Sequence, residues 1–161
     1  ETLPHVINHC MRYSDLMTRQ HNSVVSRVKK AAEGKFTIVT ENEAVQGHLR
    51  PDLIIAKDNK AMIIDITIPF ENRIEAMKEA RQWKIEKYKD LARAMSGRFE
   101  EVDVDAIILG SLGSWNPEND KVMKTMCSRK YMYLFKKLYV SDVIRYSRDI
   151  YVEHITGVRQ Q

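Results

Sequence analysis

Residues 50–67 read Arg50-Pro51-Asp52-Leu53-Ile54-Ile55-Ala56-Lys57-Asp58-Asn59-Lys60-Ala61-Met62-Ile63-Ile64-Asp65-Ile66-Thr67. Two apolar runs, 53–56 and 61–68, flank the polar joint Lys57-Asp58-Asn59-Lys60, and that pattern predicts a β-hairpin. Counting outward from the turn at 58–59, Asp52 and Asp65 each stand six residues away, which sets them across the ladder on one face. Two carboxylates held that close repel, and they cost stability unless a cation lies between them. Asp65 is flanked by Ile63, Ile64, Ile66 and Ile68, where an unpaired charge is expensive. Oxygen-only ligation of this kind suits Mg²⁺ or Mn²⁺, which keep several waters and leave room for a phosphate. Asp52 alone reads as readily as a turn residue after proline. Asp65, inside an isoleucine run, resists so plain an explanation.

Outward from the hairpin the chain alternates helices and strands. Upstream, 15–33 is predicted helical from Leu16, Val24, Val25, Val28, Ala31 and Ala32, and 36–41 (FTIVTE) is a short β-branched strand followed by a loop at Gln46-Gly47-His48. Downstream, Pro69 ends the second hairpin strand. A single long amphipathic helix is predicted over 71–96, with Ile74, Met77, Trp83 or Ile85, Tyr88 and Leu91 as its buried candidates and Ser96-Gly97 as its stop. The run 104–110 (VDAIILG) has the near-continuous apolar character of a strand buried on both faces. After the loop SLGSWNPEND, two helices are expected over 118–138 and 140–155, the first rich in lysine. Strands bracketing a helix imply an α/β layer: a mixed sheet of about four strands flanked by helices, with extra C-terminal helices.

A chain of 161 residues is one domain's worth and can bury a core without staples. No apolar run approaches the roughly 20 residues that cross a bilayer, and ETLPHVINHC lacks the basic start and apolar stretch of a secretory signal. The missing initiator Met marks the chain as a piece of something larger. Cys10 and Cys127 are too few for a disulfide framework. The net charge is +4, yet Lys121 to Gln161 carries nine Lys or Arg against three Asp or Glu, a net of +6. That excess fits either an anionic partner or an ordinary solvated helical face.

In nucleases built on such an acid pair, a lysine usually follows two residues after the second acid. That position is Thr67, which cannot serve. The long helix offers Lys84-Ile85-Glu86-Lys87-Tyr88, in which Lys84 and Tyr88 are four apart and share a face, with Met77, Ala80, Arg81 and Leu91 close to the same stripe. A lysine on the sheet-facing side could hold an attacking water and offset charge on a phosphate. Read without further context, it is as well explained as one more solvent-facing cation.

The segments LRPDLII, IIDITIPFEN and KIEKY, in that order, resemble the restriction-like, PD-(D/E)xK endonuclease domain of site-specific non-LTR retrotransposons, the type that inserts into ribosomal RNA genes. In that family the lysine moves from the strand to the following helix in a K-x-x-x-Y pattern, matched by Lys84 and Tyr88. Arg19-x-His21-Asn22 resembles a helix ahead of the nuclease core, and the segment Leu109 to Trp115 resembles the one after its last strand. The likeness runs over about residues 1–116. It implies a restriction-endonuclease-like core over 15–161 and a divalent-metal-dependent nick in duplex target DNA that primes reverse transcription by the same polyprotein, in the nucleus. Asp52 and Asp65 would bind Mg²⁺ or Mn²⁺, with Glu41 a further candidate ligand. Lys84 would hold the water, Tyr88 would support the lysine or the phosphate, and Arg50, Arg73 and Lys87 would contact DNA. Residues 1–14 resemble the second half of a Cys-Cys-His-Cys zinc knuckle, with His5 and Cys10 as the last two ligands. The upstream Cys pair is not in this chain, so Zn²⁺ is expected only where those ligands are supplied, and the segment alone is expected to fray. A non-catalytic nucleic-acid-binding module and a junction-resolving nuclease of the same fold are the alternative readings.

Overall fold

The computed structural model describes residues 1–160. The hairpin forms as β2 (Leu53–Lys57) and β3 (Lys60–Thr67), in antiparallel register from Lys57↔Lys60 to Leu53↔Ile64. Its two-residue turn puts Asp58 and Asn59 at φ 51° and 62°. Those left-handed values match the twist of the strands and are tolerated by short Asp and Asn side chains. β1 (Thr37–Glu41) adds antiparallel to β2, and β4 (Glu101–Ile108) adds parallel to β3, giving a four-stranded mixed sheet in the order β1-β2-β3-β4. The expected fold class is borne out. No helix among the described residues is long and apolar enough to cross a membrane.

Strand alternation sorts the side chains onto two faces. Leu53, Ile55, Ile64, Ile66 and Ile107 pack against α2 (Ser14–Ala32), α5 (Asn119–Met126) and α6 (Arg129–Thr156). Ile54, Ala61 and Ile63 pack on the other face against Tyr88, Leu91 and Met95. Asp65 alternates with Ile64 and Ile66, so it belongs to this second face, beneath α3 (Ile74–Lys87) and α4 (Lys89–Met95).

Three expectations fail in instructive ways. The helix predicted over 71–96 starts at Ile74 and breaks at Tyr88, whose φ of −104° and ψ of 5° leave the helical region. Tyr88 stays buried at that break, whereas Ile74 and Trp83 are 69% and 61% exposed rather than in the core. The inward stripe of α3 is the expected one, with Met77 and Arg81 buried, Ala80 packed beside them and Lys84 turned to Asp65. The division near residue 139 is also absent. Extended Cys127 and the cap Ser128, whose hydroxyl accepts the Tyr131 N–H at 3.1 Å, start α6 earlier, and it runs unbroken for 28 residues. Finally, the N-terminal segment does not fray. It forms α1 (Leu3–Asn8) and a single 3-10 turn, Met11–Tyr13. Val6, Tyr13 and Leu16 pack on Ile150 of α6, and Asn8 donates to the Ile68 carbonyl at 2.8 Å.

The two sheet edges are closed differently. β1 is short and interrupted by an irregularity between Ile38 and Thr40. On β4, Asn119 stands in for a neighbouring strand. Its amide donates to the Ile108 carbonyl at 2.7 Å and accepts the Ile108 N–H at 3.0 Å. The same Oδ1 accepts from Arg81 at 2.5 Å, and Arg81 also pairs with Asp105 at 2.5 Å, so α3, β4 and α5 are locked together. Glu71, in the link from β3 to α3, accepts the N–H groups of Leu112 and Ser114 at 2.7 and 3.0 Å, which ties the start of α3 to the loop after β4. Asn119→Ala should lower stability by about 3 kcal/mol with an unchanged denaturant slope in urea unfolding. It strips partners from two buried backbone groups and a buried guanidinium.

Candidate active site

The hairpin register, continued one step past Leu53↔Ile64, sets Asp52 opposite Asp65. Both are buried. Asp52 reaches across to accept the Ile66 N–H at 2.7 Å, so its carboxylate lies against the peptide that leaves Asp65. The same oxygen faces His21 Nε2 at 3.2 Å, and that nitrogen is also 3.2 Å from the Ile66 carbonyl oxygen. His21 projects from the middle of α2, on the opposite side of the sheet from α3. Burial works against a charged imidazole, but the hydrogen bond and negative charge of Asp52 outweigh it and lift the His21 pKa above its ordinary value.

Asp65 is answered from α3. The Lys84 ammonium forms an ion pair with Oδ2, and the Tyr88 hydroxyl donates to Oδ1 at 3.0 Å. Oδ2 makes no aligned hydrogen bond although it is fully enclosed, so the lysine answers its charge without saturating its lone pairs. Tyr88 also approaches the Arg50 carbonyl at 3.1 Å, which fastens the RPD segment to the helix break. Burial first, then the charge of Asp65, holds the phenol proton far above its usual range. Tyr88 is therefore a donor and not a base. At 1% exposure its contacts are with Asp65 and the Arg50 carbonyl.

The remaining sequence candidates are placed apart from this cluster. Glu41 is half-exposed at the end of β1 and pairs with Lys29 of α2 at 2.5 Å, a partner that occupies its charge. Among the described residues no group of three His, Cys, Asp or Glu is positioned to hold a metal, so Glu41 does not complete a triad with the aspartates. His5 is exposed on α1, and Cys10 is half-buried and free. The His5 carbonyl caps the helix by accepting the N–H groups of His9 and Cys10 at 2.9 and 2.8 Å. Arg73 is exposed just before α3, and exposed Arg50 donates to the Asn42 carbonyl at 2.6 Å. Lys87 does not enter the cluster. Its ammonium lies 5.5 Å from the centre of the Trp83 ring and 5.0 Å from that of Tyr88.

His21 is the participant that sequence reasoning did not assign a role. Periodicity places it beside the buried positions Gln20, Val24 and Val25, but a polar residue near an apolar stripe gives no sign of what it meets. Only its place next to Asn22, in the upstream segment that resembled the nuclease family, marked it at all.

Comparison with known proteins gives the chain an origin. It is similar to the retrovirus-related Pol polyprotein from the type-2 retrotransposable element R2DM of Drosophila melanogaster, 28% identical over 129 residues, or 75% of the chain. It is also similar to the Pol polyprotein from the type-1 retrotransposable element R2 of Popillia japonica, 30% identical over 134 residues, or 78% of the chain. These homologues support a retrotransposon origin. The chain spans only 12% and 28% of their respective lengths. No protein-family model matches it.

The ion pair is testable without any activity. Lys84→Met should destabilise by about 3 kcal/mol, because it leaves the Asp65 charge buried without its cation. Lys84→Met combined with Asp65→Asn should recover most of that loss. Additive unfolding free energies in this cycle would mean that the two residues do not act as a pair.

Proposed function

We propose that this chain is a divalent-metal-dependent DNA endonuclease domain of a non-LTR retrotransposon protein, nicking target DNA so that the freed 3′-hydroxyl primes reverse transcription by the same polyprotein. One observation carries the reading: two adjacent buried aspartates, at the end of β3 and the start of β2, meet a lysine delivered from the following helix. A structural salt bridge needs only one acid per cation. Here a second carboxylate stands next to the first, held by His21 and the Ile66 N–H, and two acids aimed at one place are what a divalent cation requires.

The donor set fits Mg²⁺ or Mn²⁺, since it is all oxygen and Asp65 Oδ2 has capacity left over. Asp52 and Asp65 would hold the ion, which supplies activation of a water and neutralisation of charge on the phosphate. Tyr88 fixes the Asp65 rotamer, and the Ile66 N–H with His21 fixes that of Asp52, so both carboxylates are held before any ligand arrives. Lys84 can hand its ammonium from Asp65 to a water or a phosphate oxygen while its stem stays packed over the sheet. Exposed Arg50, Arg73 and Lys87 would meet the backbone of the duplex, a contact that positions DNA without reading sequence. A zinc ion at His5 and Cys10 would need further ligands from outside this chain. The proposed substrate places the work of the domain in the nucleus.

With supercoiled plasmid and Mg²⁺, the protein should produce nicked circles, and EDTA should abolish them. Asp52→Ala, Asp65→Ala and Lys84→Ala should each lower the nicking rate by more than about a hundredfold, while duplex binding measured in EDTA stays close to the parent. Lys87→Ala should keep the rate within about threefold, since its loss removes one phosphate contact and no chemistry. Nicking that survives in either aspartate variant would sink the metal assignment.

A further inference from the structure

Trp83 is 61% exposed on α3, although a tryptophan that size is ordinarily drawn into a core. Nothing in the fold calls for it there, because the inward face of α3 is already filled by Met77 and Arg81. Its surroundings are specific. The Lys84 ammonium that pairs with Asp65 lies 5.4 Å from the centre of the indole ring, and the Lys87 ammonium lies 5.5 Å from it. Lys87 is shared in turn with the ring of Tyr88, which is bound to the Arg50 carbonyl. The indole and the Asp65 carboxylate thus flank one and the same cation. An exposed indole with two ammonium groups over its ring, next to the proposed phosphate site, has the composition of a single-strand binding platform: the cations turn to the backbone while a base takes their place on the ring.

We propose that Trp83 is the stacking platform for a nucleobase next to the phosphate held at Asp52 and Asp65. The inference rests on the nuclease reading for which phosphate that is, but the stacking itself does not depend on cleavage. A base can lie flat on the indole only when it has left its own stack, so the platform favours frayed or unpaired DNA beside the cut. Lys84 and Lys87 bring the sugar-phosphate chain to the ring, and Trp83 contributes the part of the affinity that depends on the presence of a base. A protein surface docking at the same place would use the apolar ring without any preference for bases.

The test compares oligothymidylate of about twelve nucleotides with an abasic strand of the same length, by fluorescence anisotropy in EDTA. The parent should bind the thymidylate about tenfold more tightly than the abasic strand, and Trp83→Ala should erase that preference while Trp83→Phe keeps most of it. The salt dependence of binding should be the same for all three proteins, since no charge is removed. Thermal melting should confirm that Trp83→Ala is folded, as the exposed position requires. No preference in the parent, a preference retained in Trp83→Ala, or an equal loss of both strands in Trp83→Ala would each overturn the proposal. Absence of nicking by the parent would instead overturn the nuclease reading, and the base preference would be read out unaffected.

Discussion

Burying the Asp65 carboxylate sets a constraint that organises everything around it. The side chain stands in a strand whose immediate neighbours are isoleucines, on a face it shares with Ala61 and Ile63. A charge in that setting is tolerated only if opposite charge and hydrogen-bond donors reach it, and β3 itself offers neither. The partners therefore come from α3, nineteen and twenty-three residues further on, as Lys84 and Tyr88. Satisfying Asp65 fixes the height of α3 over the sheet, and it asks the helix to give way at Tyr88 so that one phenol can serve both Asp65 and the Arg50 carbonyl. The helix break and the acid cluster are two aspects of one requirement.

Arg81 and Lys84 show how the same helix separates structure from chemistry within one turn. Arg81 is enclosed, and it is held by Asp105 on β4 and Asn119 on α5. Its guanidinium spends its rigid donors on fixed partners, which suits a tie between elements. Lys84 has one ionic partner, a flexible stem and a side chain 19% exposed, so its ammonium can exchange one anion for another at small cost. A lysine at position 81 would leave the β4 edge open. An arginine at position 84 would carry a broad fork into a space formed around a single carboxylate oxygen.

Much of this was legible before any coordinates. The strands, the hairpin and its polar turn follow from the pattern of short apolar runs between turn residues. The opposition of positions 52 and 65 follows from counting, since a two-residue turn fixes the register. The stripe Met77, Ala80, Arg81, Lys84 and Tyr88 follows from helical spacing and does face the sheet, but spacing leaves Trp83 and Ile85 as equal candidates for burial, and Trp83 is the exposed one. What was illegible involves polar residues in buried places. His21 and Asn119 act through partners 31 and 11 residues away, distances over which local patterns carry no information. The end of α5 was missed because a single Ser cap after an extended Cys is a weak signal beside the long lysine-rich amphipathic run. Glu41 is a further candidate ligand from its place at the end of a strand before a loop, and the sequence gives no hint that Lys29 pairs with it.

The surroundings of the acid cluster bear on what kind of selectivity such a site can have. Direct reading of a duplex needs side chains placed as a rigid element in the groove, with bidentate donors aimed at base edges. Here the exposed cations nearby sit on a loop before β2, on the residue ahead of α3, and on the end of α3, each as a single contact. Arg50 already spends its Nε on the Asn42 carbonyl. On the proposed reading, such an arrangement would favour phosphates over base edges, and its remaining preference would be for the state of the strand, through an aromatic ring that only an unstacked base can cover. The homologous polyproteins are several times longer than this chain, which leaves ample protein outside it to carry an address.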